Sequence, residues 1–91
     1  MDQNTAQEIR EFIVSNFLFG QGGDKLKDNE SFLENGIIDS TGVLELVAFL
    51  EQRFAISVGD RELLPENLDS ITNAAQFVAR KLEAKGAQVA G

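Results

Sequence analysis

Three stretches of this chain space their apolar residues three and four apart, and none alternates them singly. That pattern builds helices and leaves no material for a sheet. Ile9, Phe12, Ile13 and Phe17 mark one face of a first helix, expected over residues 5–19. Thr5 with Glu8 three residues later forms a capping-box pattern at its start. Gly20-Gln21-Gly22-Gly23 ends it. Val43, Leu46, Val47, Leu50 and Phe54 define a second helix, from Ser40 to near Phe54. Ile71, Ala74, Ala75, Phe77, Val78 and Leu82 define a last one, over about 71–85, with Ser70 as its N-cap. Lys81 and Lys85 suit its C-terminal end. Asp60-Arg61-Glu62-Leu63-Leu64 reads as a single turn, capped by Asp60 and stopped by Pro65. The expected fold is all-α: a small helical bundle of three main helices plus one short helix. It is a single domain over 1–91, with a core at about 5–85 and a frayed tail at 86–91.

The connection over residues 20–39 is long for so small a chain, and long loops are usually functional or disordered. Its early part is polar. Its later part carries Phe32, Leu33, Ile37 and Ile38, which are expected to pin it to the core. Ile56 and Val58 form a short apolar linker, and Leu68 pins the loop before the last helix.

Composition removes several classes of function. With 91 residues the chain buries a modest core and has little room for a catalytic cleft. A hydrophobic fraction of 43% with seven Phe excludes a disordered chain. There is no Cys and no His. That removes disulfides, thiolate metal sites, the commonest general base and the commonest nitrogen ligand. No signal peptide or bilayer-length apolar run is present, so a soluble cytoplasmic protein is expected. Residues 24–69 hold eleven acidic groups against four basic ones, a difference of seven equal to the whole net charge of −7. Such a surface repels nucleic acid and anionic lipid and favours basic protein patches. Solubility alone would also account for it.

Ser40 follows the glycine-bearing run Glu34-Asn35-Gly36-Ile37-Ile38-Asp39 and opens the second helix. On the residues alone it is either a helix cap or an exposed attachment point. A hydrolase nucleophile is a poor reading, because no His can serve it as a base and no Lys or Asp stands at a recognisable spacing to replace one. Gly42, in the first turn, costs about 1 kcal/mol relative to Ala. It marks either a close approach to the backbone or a chance substitution. Gly20-Gln21-Gly22-Gly23-Asp24-Lys25 has the spacing of neither a dinucleotide fingerprint nor a P-loop. The carboxylates between Asp24 and Glu34 lack the order of an EF-hand, so no metal site is assigned.

Gly36-Ile37-Ile38-Asp39-Ser40, followed by Glu45-Leu46-Val47 and Leu50-Glu51-x-x-Phe54, resembles the phosphopantetheine attachment region of acyl and peptidyl carrier proteins. Asp28-Asn29-Glu30-Ser31-Phe32 is similar to that family's acidic loop segment, and Leu68-Asp69-Ser70-Ile71 to its entry into the last helix. The resemblance covers residues 5–82 and implies a carrier rather than an enzyme. It implies that Ser40 takes 4′-phosphopantetheine from coenzyme A, through a separate magnesium-using phosphopantetheinyl transferase. Asp39 would support that modification or simply cap the helix. Thr41, Leu44, Glu45 and Glu51 would form the recognition face. The partners would be an acyl or aminoacyl ligase and downstream transferases or synthases, meeting a monomeric carrier through basic patches. For Glu45 and Glu51 a merely solvated face is the alternative.

The pattern also departs from the family. Fatty-acid carriers usually follow the serine with Leu and Asp, where this chain has Thr41-Gly42. The expected role is therefore a stand-alone acyl carrier of a specialised pathway, holding acyl groups as thioesters. An aminoacyl or peptidyl carrier of the D-alanyl type is the alternative within the family. An unmodified helical interaction module is the alternative outside it. Phe49, Phe54 and Phe77 either fill the core or line a space that shelters cargo.

Overall fold

The computed structural model describes residues 3–18, 20 and 26–90, and for residue 3 and residues 85–90 it describes the backbone alone. Phe19 and the stretch 21–25 lie outside the described residues. Within them the chain is helical, with no strand: α1 (Gln3–Phe17), α2 (Ser40–Phe54), a 3-10 turn (Asp60–Glu62), α3 (Pro65–Leu68) and α4 (Ile71–Ala90). The three expected long helices are all present.

Their stripes make one core. Ile9 and Ile13 of α1 are fully buried with Leu46 and Leu50 of α2 and Ile71, Ala74, Ala75 and Val78 of α4. Burying such side chains supplies about 1.5–3 kcal/mol each before chain entropy is counted. The α4 helix is the common support, since α1, α2 and α3 all pack on it. Between α1 and α2 the contact is aromatic. Phe12 stacks on Phe49 at 4.3 Å, with Phe17 edge-on to Phe12 at 5.9 Å and Phe54 edge-on to Phe49 at 6.2 Å. Arg53 and Glu8 form an ion pair across the same seam. Phe77 is 2% exposed, so it is core.

Several boundaries differ from expectation. Helix α1 begins at Gln3, and Thr5 is buried inside its first turn rather than capping it. Thr5, Ile9 and Ile13 lie on one stripe, and packing outweighs the capping preference there. The turn at Asp60–Glu62 is preceded by Gly59, whose N–H donates to the Glu62 carboxylate at 2.9 Å, so Asp60 is no cap. Pro65 starts α3 instead of stopping the turn, because a residue without an N–H fits the first helical position. Leu68, expected in a loop, is a buried helical residue. Helix α4 runs on to Ala90, past the expected end near Lys85, through the alanine-rich 84–90. The tail 86–90 is thus helical, and Gly91 lies outside the described residues.

The connection between α1 and α2 is tied down from both sides. Phe32 and Ile38 are buried as expected, and so is Leu26, while Leu33 is 43% exposed and no pin. Arg10 of α1 donates to the Leu26 carbonyl at 2.6 Å and pairs with Asp28. Thr72 N–H of α4 donates to the Asp28 carbonyl at 2.8 Å. Gly36, at φ +68°, closes the turn that follows Phe32.

Candidate functional site

The serine is placed by its neighbour. Asp39, in extended conformation, accepts the Gly42 N–H on its carboxylate at 2.7 Å and the Val43 N–H on its carbonyl at 3.0 Å. Asp39 is therefore the N-cap of α2, and Ser40 is the first helical residue. Ser40 is exposed, and its hydroxyl makes no hydrogen bond among the described residues. The backbone N–H groups of Ser40 and Thr41 likewise meet no acceptor there. These orphan donors and the positive end of the helix dipole suit an attached phosphate.

Gly42 is buried, and the close approach is internal. A Cβ at this position would lie 2.7 Å from Ile38 Cγ2 and 2.9 Å from Phe17 Cε1. Gly42 thus lets the end of α1 and the loop press against the first turn of α2. Any side chain at position 42 would have to push them away.

Two concavities flank the serine. On one side a groove of about 250 Å³ runs between α2 and α3, lined by Leu33, Ser40, Val43, Leu44, Leu63, Leu64, Pro65, Leu68 and Asp69. Leu33, Leu44 and Leu64 are 43, 57 and 41% exposed, so apolar surface faces solvent around it. On the other side Phe17, Gly36, Ile37, Asp39, Thr41, Gly42 and Glu45 line a more polar hollow of about 320 Å³. The far wall of the groove is held to α4 by polar ties. Lys81 Nζ lies 2.9 Å from Glu62 Oε1, and Arg80 donates to Asn67 at 2.9 Å. The Gly59 N–H, and then Lys81, hold the Glu62 carboxyl below its ordinary pKa.

Of the residues expected at the site, Asp39, Ser40, Thr41, Leu44 and Glu45 come together at the start of α2, and all five are exposed. Glu51 does not join them. It is half-buried, and its carboxylate accepts the Val58 N–H at 2.9 Å, bracing the linker after α2. Leu33, Leu63, Leu64, Pro65 and Asp69 line the site without having been singled out for it. The signal for Leu63-Leu64 was an apolar pair in a segment too short to bury both. Among the described residues no cluster of acidic side chains could hold a metal ion, and no helix is long and apolar enough to cross a membrane.

No family model matches the chain. Individual relatives do. It is 28% identical over 75 residues to the acyl carrier protein of Zymomonas mobilis, covering 82% of this chain and 91% of that one. It is 32% identical over 68 residues to a Serratia protein named "Probable acyl carrier protein PigG", covering 75% of this chain and 77% of that one. With that identity and coverage, on a helical bundle that exposes a serine at the start of its second helix, the chain belongs to the acyl carrier protein family, a carrier and not itself an enzyme.

Proposed function

We propose that this protein carries acyl groups on a 4′-phosphopantetheine arm attached at Ser40 and presents them to partner enzymes of a specialised pathway. The carrying observation is the division of labour at the start of α2. Asp39 does the capping, which leaves the Ser40 hydroxyl exposed and unbonded among the described residues. The residues present fit the group. Two orphan backbone N–H groups stand ready for its phosphate, and the apolar groove begins at the serine itself. When bound, the arm supplies a thiol that this Cys-free chain lacks and holds cargo as a thioester.

The chain's own residues have separate tasks. Ser40 Oγ is the atom that takes the arm. Asp39 fixes the helix start, and so the direction in which that oxygen points. Thr41, Leu44 and Glu45 form the partner face, a mixture of apolar contact and one carboxylate suited to a basic patch. Glu51 is occupied with the linker and supports that face only indirectly. Gly42 keeps α1 close and supports a role apart from carriers that place an acidic residue there.

The experiment is an intact-mass measurement after incubation with coenzyme A, magnesium and a broad-specificity phosphopantetheinyl transferase. One arm should be added to the wild type and none to Ser40→Ala. An unchanged wild-type mass would favour an unmodified docking module instead. The Gly-Ile-Ile-Asp-Ser-x-Gly run favours an aminoacyl or peptidyl cargo as the second reading. Loading with adenylating amino-acid ligases, compared with acyl ligases, separates the two.

A further inference from the structure

Asp69 lies far from Ser40 in sequence, at the junction of α3 and α4, yet it lines the groove that begins at the serine. Its side chain reaches the loop before α2. Carboxylate Oδ1 accepts the Leu33 N–H at 2.9 Å, and Oδ2 accepts the Ser31 hydroxyl. Its backbone carbonyl accepts the Phe32 N–H at 2.8 Å. Three consecutive loop residues are therefore fastened to one aspartate. The Ser31 oxygen in turn accepts the Glu34 N–H at 3.1 Å. Asp69 is half-buried and has no cation paired with it among the described residues. A carboxylate so placed needs those donors to offset its lost hydration.

The fastening continues to the serine. The Phe32 carbonyl accepts both the Ile37 N–H at 2.8 Å and the Ile38 N–H at 3.3 Å. Ile38 is 2% exposed and presses on the first turn of α2 at Gly42. Asp39 comes next and supplies the cap. The path from Asp69 to Ser40 thus runs through the Phe32 backbone, the Ile37–Ile38 turn and the capping residue.

From this path we infer that Asp69 is a positioning residue for the modification of Ser40: it anchors the 31–38 turn that delivers Asp39 and Ser40 to the start of α2. The inference rests on the reading of Ser40 as the attachment site. Displacing a reacting atom by about 1 Å can cost on the order of a hundredfold in rate. Loosening an anchor at the far end of the turn is expected to cost less. The loss falls on kcat, because Thr41, Leu44 and Glu45 remain to bind the transferase.

The test compares the full chain with Asp69→Asn, Ser31→Ala and Val78→Ala as substrates of the transferase, by intact mass. Amide hydrogen exchange is followed on the same proteins. Val78 is fully buried on α4 and serves as a variant destabilised away from the turn. Asp69→Asn should lower kcat about tenfold with KM within twofold, and Ser31→Ala should lower it by a smaller factor. Both should speed exchange at amides 33–38 ahead of those in α4. Val78→Ala should leave kcat for the folded protein unchanged. Wild-type kcat in both loop variants, or an equal loss in Val78→Ala, overturns the positioning role while the attachment reading stands. A wild-type chain that takes no arm, or an arm that persists in Ser40→Ala, overturns both.

Discussion

The two sides of α2 are built differently. Toward α1 the helix is sealed: Phe12, Phe49, Phe54 and Phe17 interlock, Gly42 admits Phe17 and Ile38 at contact distance, and Arg53 pairs with Glu8. Toward α3 it is open: the groove is walled by a 3-10 turn and a four-residue helix, and polar ties at Glu62 and Asn67 hold that wall to α4. One side fixes where the serine sits. The other leaves apolar surface beside it open to solvent. Under the proposed attachment at Ser40, the sealed side would hold the serine in register for one enzyme and the open side would leave its face free for others.

This contrast can be broken by substitution. The largest effect is expected on the sealed side. Phe49→Ala should cost about 2–4 kcal/mol in urea unfolding, since the ring is half-buried and stacked on Phe12. Next is Gly42→Ala. Overpacking against Ile38 and Phe17 costs about 1–3 kcal/mol. The gain in helix propensity returns about 1 kcal/mol. A net loss in thermal stability is expected, and a gain would mean that the seam can yield.

Smaller effects belong to the open side. Glu62→Gln should lower stability by less than about 1 kcal/mol, as exposed ion pairs do. Its pH dependence has a definite sign. The folded pKa lies below the ordinary 4.5. The contribution is therefore fully present at neutral pH and fades as pH falls below about 4.5 through the folded value. Unfolding curves of wild type and Glu62→Gln should converge in that acid range and separate above it. Smallest of all, Leu64→Ala should change stability by about 0.5 kcal/mol or less, since the side chain is 41% exposed. A loss as large as that of Phe49→Ala would erase the distinction between the two sides.

Much of this was legible in the sequence, for physical reasons that also mark where it stopped. The α1, α2 and α4 stripes are long enough for helical period to dominate, and Ser70 caps α4 as its position before Ile71 implied, with Asn73 N–H on its hydroxyl at 3.0 Å. The start of α2 at Ser40 was legible because the apolar stripe of that helix begins just after it. Which residue caps was not legible: Asp39 and Ser40 are both good caps, and only the backbone turn selects between them. Pro65 is ambiguous for a similar reason, since it ends one helix and begins the next with equal ease. Glu51 and Asp69 bind backbone N–H groups seven and thirty-six residues away in sequence, and helical periodicity holds no information about such partners.

The same long reach alters the meaning of the negative charge. Asp28, Asp39, Glu51, Glu62 and Asp69 each accept a hydrogen bond or pair with a cation within the chain. They belong to the acidic stretch that suggested an electrostatic docking surface, yet they hold the loop, the helix start, the linker and the groove wall. Beside the serine, Glu45 is exposed with no hydrogen bond or ion pair among the described residues, next to the exposed Leu44.

The cap supplied by Asp39 has a consequence for the life history of the protein. Because the Asp39 carboxylate supplies the cap, the start of α2 does not depend on the Ser40 hydroxyl, and under the proposed attachment at Ser40 the fold would be complete before the arm arrives. Newly made chains can then accumulate as a finished but unequipped stock. The supply of working carrier would be set by how fast an enzyme visits that stock, with folding long since over.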